Sequence, residues 1–448
     1  MFGRRTFLFA MHPKLPGILL PFAFCLLTSA PAAGLYQDGA GARAKAMGGA
    51  GAAVADDPLS ALFDNPAALG SLDRPTAQLA LDGLFEHGTF YNRANPHATG
   101  DAAGAIGEFA ASVPLGPVRL AVGFNPDMAV KARWHYVDAP GGADGATSYG
   151  FNANQSEIIL LRTALGVGWQ VTKQFSLGAN VGLLYNVNQL QTPYVFQRQP
   201  TLRTVKTRLD LQTDGFGVNG EFGLRWQPVE TVKISLAYTT PARVKTAGKA
   251  SGNAGVQLAN LGLGAARPDF EYSAQVINTF PGTLSAGVAW QARRGLTLAG
   301  QFDWIHWSGA FSSLPVRLTS GNNADLNGLV GSSRLNDDIP LRWSDQYVGR
   351  VGVEQAFGAH WTARAGYAYG NNPVPDGTLT PLTAAITEHL LTAGAGYQTG
   401  RWRFDASYQW QLPATARVGR SDLAAGEYSG SVTSVYIHAV SLTAQLEY

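Results

Sequence analysis

The feature that most constrains this chain is a side-chain period of two that recurs along its length without any long apolar run. Residues 401–412 show it best. Trp402, Phe404, Ala406, Tyr408, Trp410 and Leu412 take one face, while Arg401, Arg403, Asp405, Ser407, Gln409 and Gln411 take the other. Successive strand side chains point to opposite faces, so such a segment is an amphipathic β-strand. Residues 175–185, 232–238 and 361–369 repeat the pattern, with Leu177, Val181, Ile234, Leu236, Trp361 and Tyr367 among the apolar set. Nothing beyond the first 32 residues offers about 18 consecutive apolar positions, which excludes spanning helices.

Soluble sandwiches alternate as well, so three further signals decide for a membrane barrel. Trp169, Trp226, Trp304, Trp307, Trp361, Trp402 and Trp410 fall near strand ends, where interfacial girdles need aromatics. The polar faces carry mostly Gly, Ser, Thr, Asn and Gln, which suits a wet lumen. The chain closes on Val440, Leu442, Ala444, Leu446 and Tyr448 in alternation, ending on an aromatic as outer-membrane barrels do for assembly. Only 14% of residues are charged, against about 25% in ordinary globular proteins. A net charge of +2 with no basic run gives no reason to expect a nucleic-acid partner.

Strands are expected near 75–86, 104–113, 117–135, 155–170, 174–190, 206–227, 231–246, 270–291, 295–307, 341–355, 360–370, 386–399, 401–412 and 431–448. That is fourteen, an even number as in bacterial barrels. Tight turns at Pro228-Val229-Glu230, Ala292-Arg293-Arg294 and Phe357-Gly358-Ala359 alternate with long polar loops near 136–154, 191–205, 247–269, 308–340 and 413–430. The fold class is therefore all-β: a 14-stranded antiparallel transmembrane barrel, residues 75–448.

Residues 1–32 read as a cleaved signal peptide. Arg4, Arg5 and Lys14 precede the apolar run LPGILLPFAFCLL at 15–27, and Ala30-Pro31-Ala32 supplies a small-x-small cleavage site. A basic leader accounts for Arg4-Arg5, with a twin-arginine signal the lesser reading. The only cysteine, Cys25, lies in this leader, so the mature chain has no disulfide and no thiol site. Between leader and barrel, residues 33–74 are Gly/Ala-rich and close on Asn65-Pro66-Ala67-Ala68, a turn signal. A barrel of fourteen strands is too wide for its wall side chains to fill, and this compact segment is placed to plug it as a hatch.

With these elements in place the chain resembles the FadL/TodX outer-membrane transporters of fatty acids and aromatic hydrocarbons. The resemblance rests on Ala33-Gly34-Leu35, on Ala55-Asp56-Asp57 followed by Asn65-Pro66-Ala67, and on QVTKQFSLG at 170–178. DQYVGR at 345–350, Pro373-Val374-Pro375-Asp376 and the terminal aromatic complete it. It implies passive diffusion of a hydrophobic ligand from outer loops to a pocket beside the hatch. The ligand then leaves sideways through a kink in the third strand. Gly123, Phe124, Asn125, Pro126 and Asp127 form a breaker cluster there, since proline removes a ladder hydrogen bond. Taken alone the cluster reads as an ordinary bulge; the resemblance turns the reading toward a lateral opening.

Leu35, Tyr36, Asn65, Pro66 and Ala67 are the ligand contacts expected at the hatch. Phe196, Leu202, Val256, Leu258, Leu261 and Leu263 form an outer capture surface, with simple loop packing as the equal alternative. Fatty-acid-binding relatives carry basic residues after the equivalent of Tyr185, where this chain has neutral Asn186-Val187-Asn188-Gln189. Arg198, Arg203, Lys206 and Arg208 are the substitutes for pairing a carboxylate, and a neutral hydrocarbon stays open. Expected partners are hydrophobic small molecules, outer-membrane lipid and lipopolysaccharide, and the barrel-assembly machinery acting on Tyr448; the barrel is expected to be a monomer. No cofactor, metal site or enzyme is expected, because no His-Glu-x-x-His occurs and Glu388-His389 and Asp337-Asp338 are isolated pairs. Asp56-Asp57 read as backbone-bonding turn residues. The rivals are a general diffusion porin for small hydrophilic solutes, an outer-membrane enzyme, and an adhesin or assembly protein.

Overall fold

The computed structural model describes residues 38–448. Eighteen strand segments form one antiparallel sheet that closes on itself. The first six are β1 (Thr76–Asn92), β2 (Asn95–Leu115), β3 (Val118–Val137), β4 (Phe151–Gln170), β5 (Phe175–Val195) and β6 (Lys206–Val229). Four pairs of segments follow, each pair being one broken stave. They are β7 (Val232–Thr239) with β8 (Ala242–Asn253), β9 (Asp269–Phe280) with β10 (Thr283–Arg293), β11 (Leu296–Ile305) with β12 (Ser313–Thr319), and β13 (Leu335–Pro340) with β14 (Gln346–Phe357). The last are β15 (Trp361–Gly370), β16 (His389–Thr399), β17 (Trp402–Arg417) and β18 (Val432–Glu447). Around the ring this makes fourteen staves, and β18 pairs with β1 from Thr76–Glu447 to Tyr91–Val432 to shut it.

The wall is inverted relative to a water-soluble protein. On β1, Leu79, Leu81 and Phe85 are more than half exposed while Gln78 and Asp82 are buried. On β17, Trp402, Phe404 and Tyr408 face out while Asp405, Ser407 and Gln411 face in. Large apolar outward faces need a hydrocarbon solvent. Trp169, Trp226, Trp361 and Trp402 do sit exposed at the short-turn end. Two girdle assignments need qualifying and one fails. Trp304 and Trp410 are half-buried. Trp307 is fully buried, packed on Phe311 and Trp343 inside the lumen, because its stave breaks at that point and the chain turns inward.

Three stretches expected as loops are sheet. Residues 87–103 continue β1 and β2 to a turn at Arg93-Ala94, where the Asn92 side chain accepts from the Ala94 and Asn95 N–H groups. The regions 247–269 and 308–340 contain the upper part of β8, β12 and β13, with the short helices α4 (Gly255–Asn260) and α5 (Ala324–Val330), numbered after the three in the hatch. The physical reason is a change of phase. Inward residues are odd-numbered on β7 (Ser235, Ala237) but even-numbered on β8 (Val244, Thr246). The same reversal separates β10 from β9, β11 from β12 and β14 from β13. Four neighbouring staves thus switch faces near one height, at Thr240-Pro241, Pro281-Gly282, 306–312 and 341–345. A slip of one residue carries every later side chain to the opposite face.

The hatch fills the lumen below these breaks. It consists of α1 (Gly41–Ala46), α2 (Gly51–Val54), α3 (Pro58–Phe63) and a 3-10 turn, Pro66–Ser71. Among them they touch staves all round the ring. Asp57 caps α3 by accepting from Ser60 N–H, and Asn65 caps the 3-10 turn by accepting from Ala67 N–H.

A charge placed on the outward face tests the wall assignment. Leu81, beside Leu442 on β18, is expected to tolerate phenylalanine. Leu81→Arg should cost about 2–4 kcal/mol in reversible unfolding from lipid vesicles.

Candidate functional site

Above the phase change lies an apolar cavity of about 190 Å3. Val130, Ile158, Leu190, Leu209 and Leu211 reach it from β3 to β6; Val276, Val316 and Ile339 come from the broken staves. Phe311, Leu341 and Trp343 reach it from the interruptions themselves, and Leu382 and Tyr428 from two loops. An apolar cavity of about 150 Å3 suffices to take benzene. Among the described residues no Lys, Arg or His lines it, whereas Glu157, Asp337 and Glu427 do. Asp337 is held by Tyr194 Oη and by the N–H groups of Gln197, Arg198 and Gln199.

The cations proposed for a carboxylate lie elsewhere. Lys206 has no exposed surface: its Nζ sits 2.7 Å from Asp138 and 2.7 Å from Glu427 and donates to Ala139 O. It ties two loops to β6. Burial nonetheless pushes the Glu427 carboxyl up to about 7, with Lys206 opposing. Arg198 pairs with Asp338 at 2.6 Å, half-exposed outside the cavity, and Arg203 and Arg208 are exposed. Of the capture residues, Phe196 lines the cavity and Leu258 is buried in the adjoining core, against which Leu202 packs. Val256, Leu261 and Leu263 are exposed.

Beneath the cavity Met128, Leu160, Leu184, Val244 and Phe280 form a dry layer, none more than 1% exposed. Below that layer the lumen becomes polar. Asn125, Asp127, Arg162, Glu221, Asp303 and Arg350 surround a cavity of about 110 Å3 against Phe63 and Asp64 of the hatch. Arg162 lies 3.3 Å from Glu221 and bonds Asn180, whose Nδ2 donates to Leu62 O at 2.6 Å.

The predicted kink residues sit at this level. The β2–β3 ladder runs from Leu115–Val118 to Phe109–Phe124, then resumes only at Gly100–Trp134, one residue out of register. On the other side β3 slips against β4 between Pro126 and Met128. Asp127 is thus one residue too many for both neighbours, and Pro126 has no N–H to give to a ladder. Gly123 closes the lower margin: a Cβ there would lie 2.6 Å from Phe109 O and against Leu62 and Phe63.

Charge holds the hatch in place. Lys45 pairs with Asp82 and Glu108 at 2.6 Å each. Arg43 pairs with Glu354 and Asp56, Arg350 with Asp38 and Asp303, and Arg225 donates to Ala55 O. Asp57 bonds backbone as expected of a turn residue, but Asp56 is the ion-pair partner of Arg43. Asn65, Pro66 and Ala67 line neither cavity. Asn65 Nδ2 donates to Leu224 O, and Pro66 presses on Gly178, where a Cβ would come within 2.1 Å of its carbonyl. Leu35 and Tyr36 fall outside the described residues. The upper cavity itself was missed in the sequence; its signal would have been Ile339 and Leu341 on either side of Pro340.

A model of the outer membrane protein transport protein family (OMPP1/FadL/TodX) matches residues 23–448. None of the curated proteins matches the chain in sequence. Among solved structures, the toluene transporter TbuX of Ralstonia pickettii superposes with a TM-score of 0.69 at 20% identity, covering 92% of this chain and 99% of its own. A Pseudomonas aeruginosa FadL homologue gives 0.70 at 18% identity over 94% and 100%. The Pseudomonas putida toluene transporter TodX gives 0.70 at 20% over 92% and 99%. At these identities the likeness is one of fold.

Removing the central hatch cation should leave two buried carboxylates uncompensated. Lys45→Met is expected to cost about 3–5 kcal/mol, and adding Glu108→Gln should recover part of it. Unfolding curves read the loss, and sugar leakage from vesicles reads whether the hatch still seals.

Proposed function

Because the chain belongs to the OMPP1/FadL/TodX family of outer-membrane transport proteins, we propose that it passes neutral hydrophobic molecules, single-ring aromatics foremost, by passive diffusion. The observation that carries this reading is the apolar cavity without a cation. An ionised fatty acid would enter a pocket whose lining carries three carboxylates and no cation to pair with it, at a desolvation cost that neutral molecules avoid. The toluene transporters among its structural neighbours support the same ligand class.

The route runs from the long-loop, extracellular end into the cavity, through the dry layer of Met128 and Phe280, and out between β2 and β3. The missing ladder at Asp127 makes that seam the cheapest place to part the wall, because no backbone hydrogen bond there has to be broken first. Burial of Phe63 and Asp64 behind it makes the hatch the inner lip of the exit. Leu35 and Tyr36 belong to the same lip by resemblance, and residues 1–32 are read as the export signal removed on the way. The mature barrel works alone, inserted by the assembly machinery through Tyr448 and bathed in lipid and lipopolysaccharide. The packed hatch argues against an open aqueous porin.

Uptake of labelled toluene and labelled oleate by cells lacking such a transporter tests the reading, with a small sugar as leakage control. Toluene uptake should rise, oleate uptake should rise less, and sugar should stay outside. Deleting Asp127 restores the register of β3 to both neighbours and is expected to lower toluene uptake about tenfold or more, as closure of a required gate does. Unchanged uptake in that variant would rule out the side exit, and sugar leakage in the parent would indicate a porin.

A further inference from the structure

The floor of the apolar cavity is polar in a specific way. Asn278, on β9, has no exposed surface and lines the cavity. Its Nδ2 donates to Asn186 Oδ1 at 2.6 Å and to Asn188 Oδ1 at 3.0 Å. Those two amides are themselves fixed, since Asn186 Nδ2 donates to Ile159 O and Asn188 Nδ2 to the hydroxyls of Thr213 and Thr246. Turning the Asn278 amide over would set its oxygen against two other amide oxygens, so its orientation is dictated by the network. Asn278 Oδ1 is left as an acceptor with no hydrogen-bond partner.

On the cavity wall, Trp343 is buried, and its Nε1 donor has no partner either. Trp307, which packs against it, does find one in Gln346 Oε1. Beside the carboxylates already named, the residues lining the cavity therefore carry one acceptor and one donor that no protein group uses. Buried polar groups are ordinarily satisfied, and an exception asks for an occupant that supplies the bonds.

We infer that the favoured occupant is a neutral hydrophobic molecule bearing a hydroxyl group, such as a phenol, aryl alcohol or aliphatic alcohol. This rests on the reading of the cavity as the ligand site. A hydroxyl donates and accepts without charge, so it can donate a hydrogen bond to Asn278 Oδ1 or accept one from Trp343 Nε1–H. A hydrocarbon can do neither. A carboxylate cannot donate and meets Glu157, Asp337 and Glu427, and an ammonium cannot accept.

The test is equilibrium binding of 4-ethylphenol and ethylbenzene to the full protein in lipid nanodiscs, after subtraction of partition into empty discs. 4-Ethylphenol is expected to bind about tenfold tighter, the value of one or two hydrogen bonds. Trp343→Phe and Asn278→Leu should each reduce that preference severalfold while leaving ethylbenzene within about twofold. Trp343→Phe keeps the ring and the packing, so it remains informative if Asn278→Leu fails to fold. Equal affinities of the parent protein for the two ligands would overturn the inference and assign the two polar atoms to bound water, leaving the apolar site intact. Binding of neither would overturn both this inference and the cavity reading.

Discussion

A sheet standing in hydrocarbon has no water to satisfy its backbone, so every N–H and C=O must be paired within the wall or turned toward the lumen. Closure of β18 on β1 meets that demand and removes both edges of the sheet. The places where this chain relaxes the demand are accordingly informative. Two sorts border the chambers, apart from a bulge of β17 against β18 between Gln411 and Ala414. At the β2–β3 seam the ladder lapses beside a proline and an extra residue. At the four stave breaks the alternation reverses while the ring stays closed. The first leaves a length of the wall without a regular backbone ladder. The second lets apolar side chains that would have faced lipid face inward, and so builds an apolar chamber inside a polar lumen.

The hatch obeys a different economy. Its ion pairs join α1 and the segment before it to β1, β2 and β14. Buried pairs add little net stability over apolar packing, yet breaking one strands a charge at high cost. A hatch held this way is fixed in position more than it is stabilised, and it resists leaving the lumen as a unit. On the side of Phe63 the hatch borders the polar cavity together with Asp64, Asn125, Asp127, Arg162, Glu221, Asp303 and Arg350, and the Arg162 guanidinium stands over the Phe63 ring.

Much of the wall was legible because lipid-facing strands advertise themselves. In β5, β17 and β18 large apolar residues at every second position can only be an outward face, and these strands were read within a few residues. The upper β8, β12 and β13 were not, since above the phase change their outward positions are Arg243, Lys245, Lys249 and Arg317, the composition of a loop. Trp307 misled for the same reason: an aromatic at a strand end marks an interface only if the strand continues in phase. The break at Asn125-Pro126-Asp127 was readable from its breaker residues as an ordinary bulge, and only the resemblance turned that reading toward a lateral opening. The fate of Lys206 was not, because nothing local announces that Asp138 and Glu427, on two distant loops, converge on it. The chamber is likewise assembled from segments scattered between Val130 and Tyr428, each too short to show an apolar pattern of its own.

On the proposed route these features set a direction of travel. A single-ring aromatic with about 200 Å2 of apolar surface gains about 5 kcal/mol on leaving water, whether it enters the chamber or the bilayer. The chamber therefore competes with the membrane, not with water. Tight binding in a purely apolar pocket would gain little over lipid, while release into the aqueous lumen below would forfeit the whole gain. The polar cavity around Arg162 and Glu221 imposes that second cost directly, so a neutral ligand reaching the dry layer of Met128 and Phe280 finds the downward path unfavourable. The seam at Asp127 itself borders that polar cavity, and on the proposed route hydrocarbon lies on its far side. On the route proposed above, apolar chamber, polar floor and lateral gap would act as one device: the first admits, the second disfavours descent, and the third gives access to the bilayer.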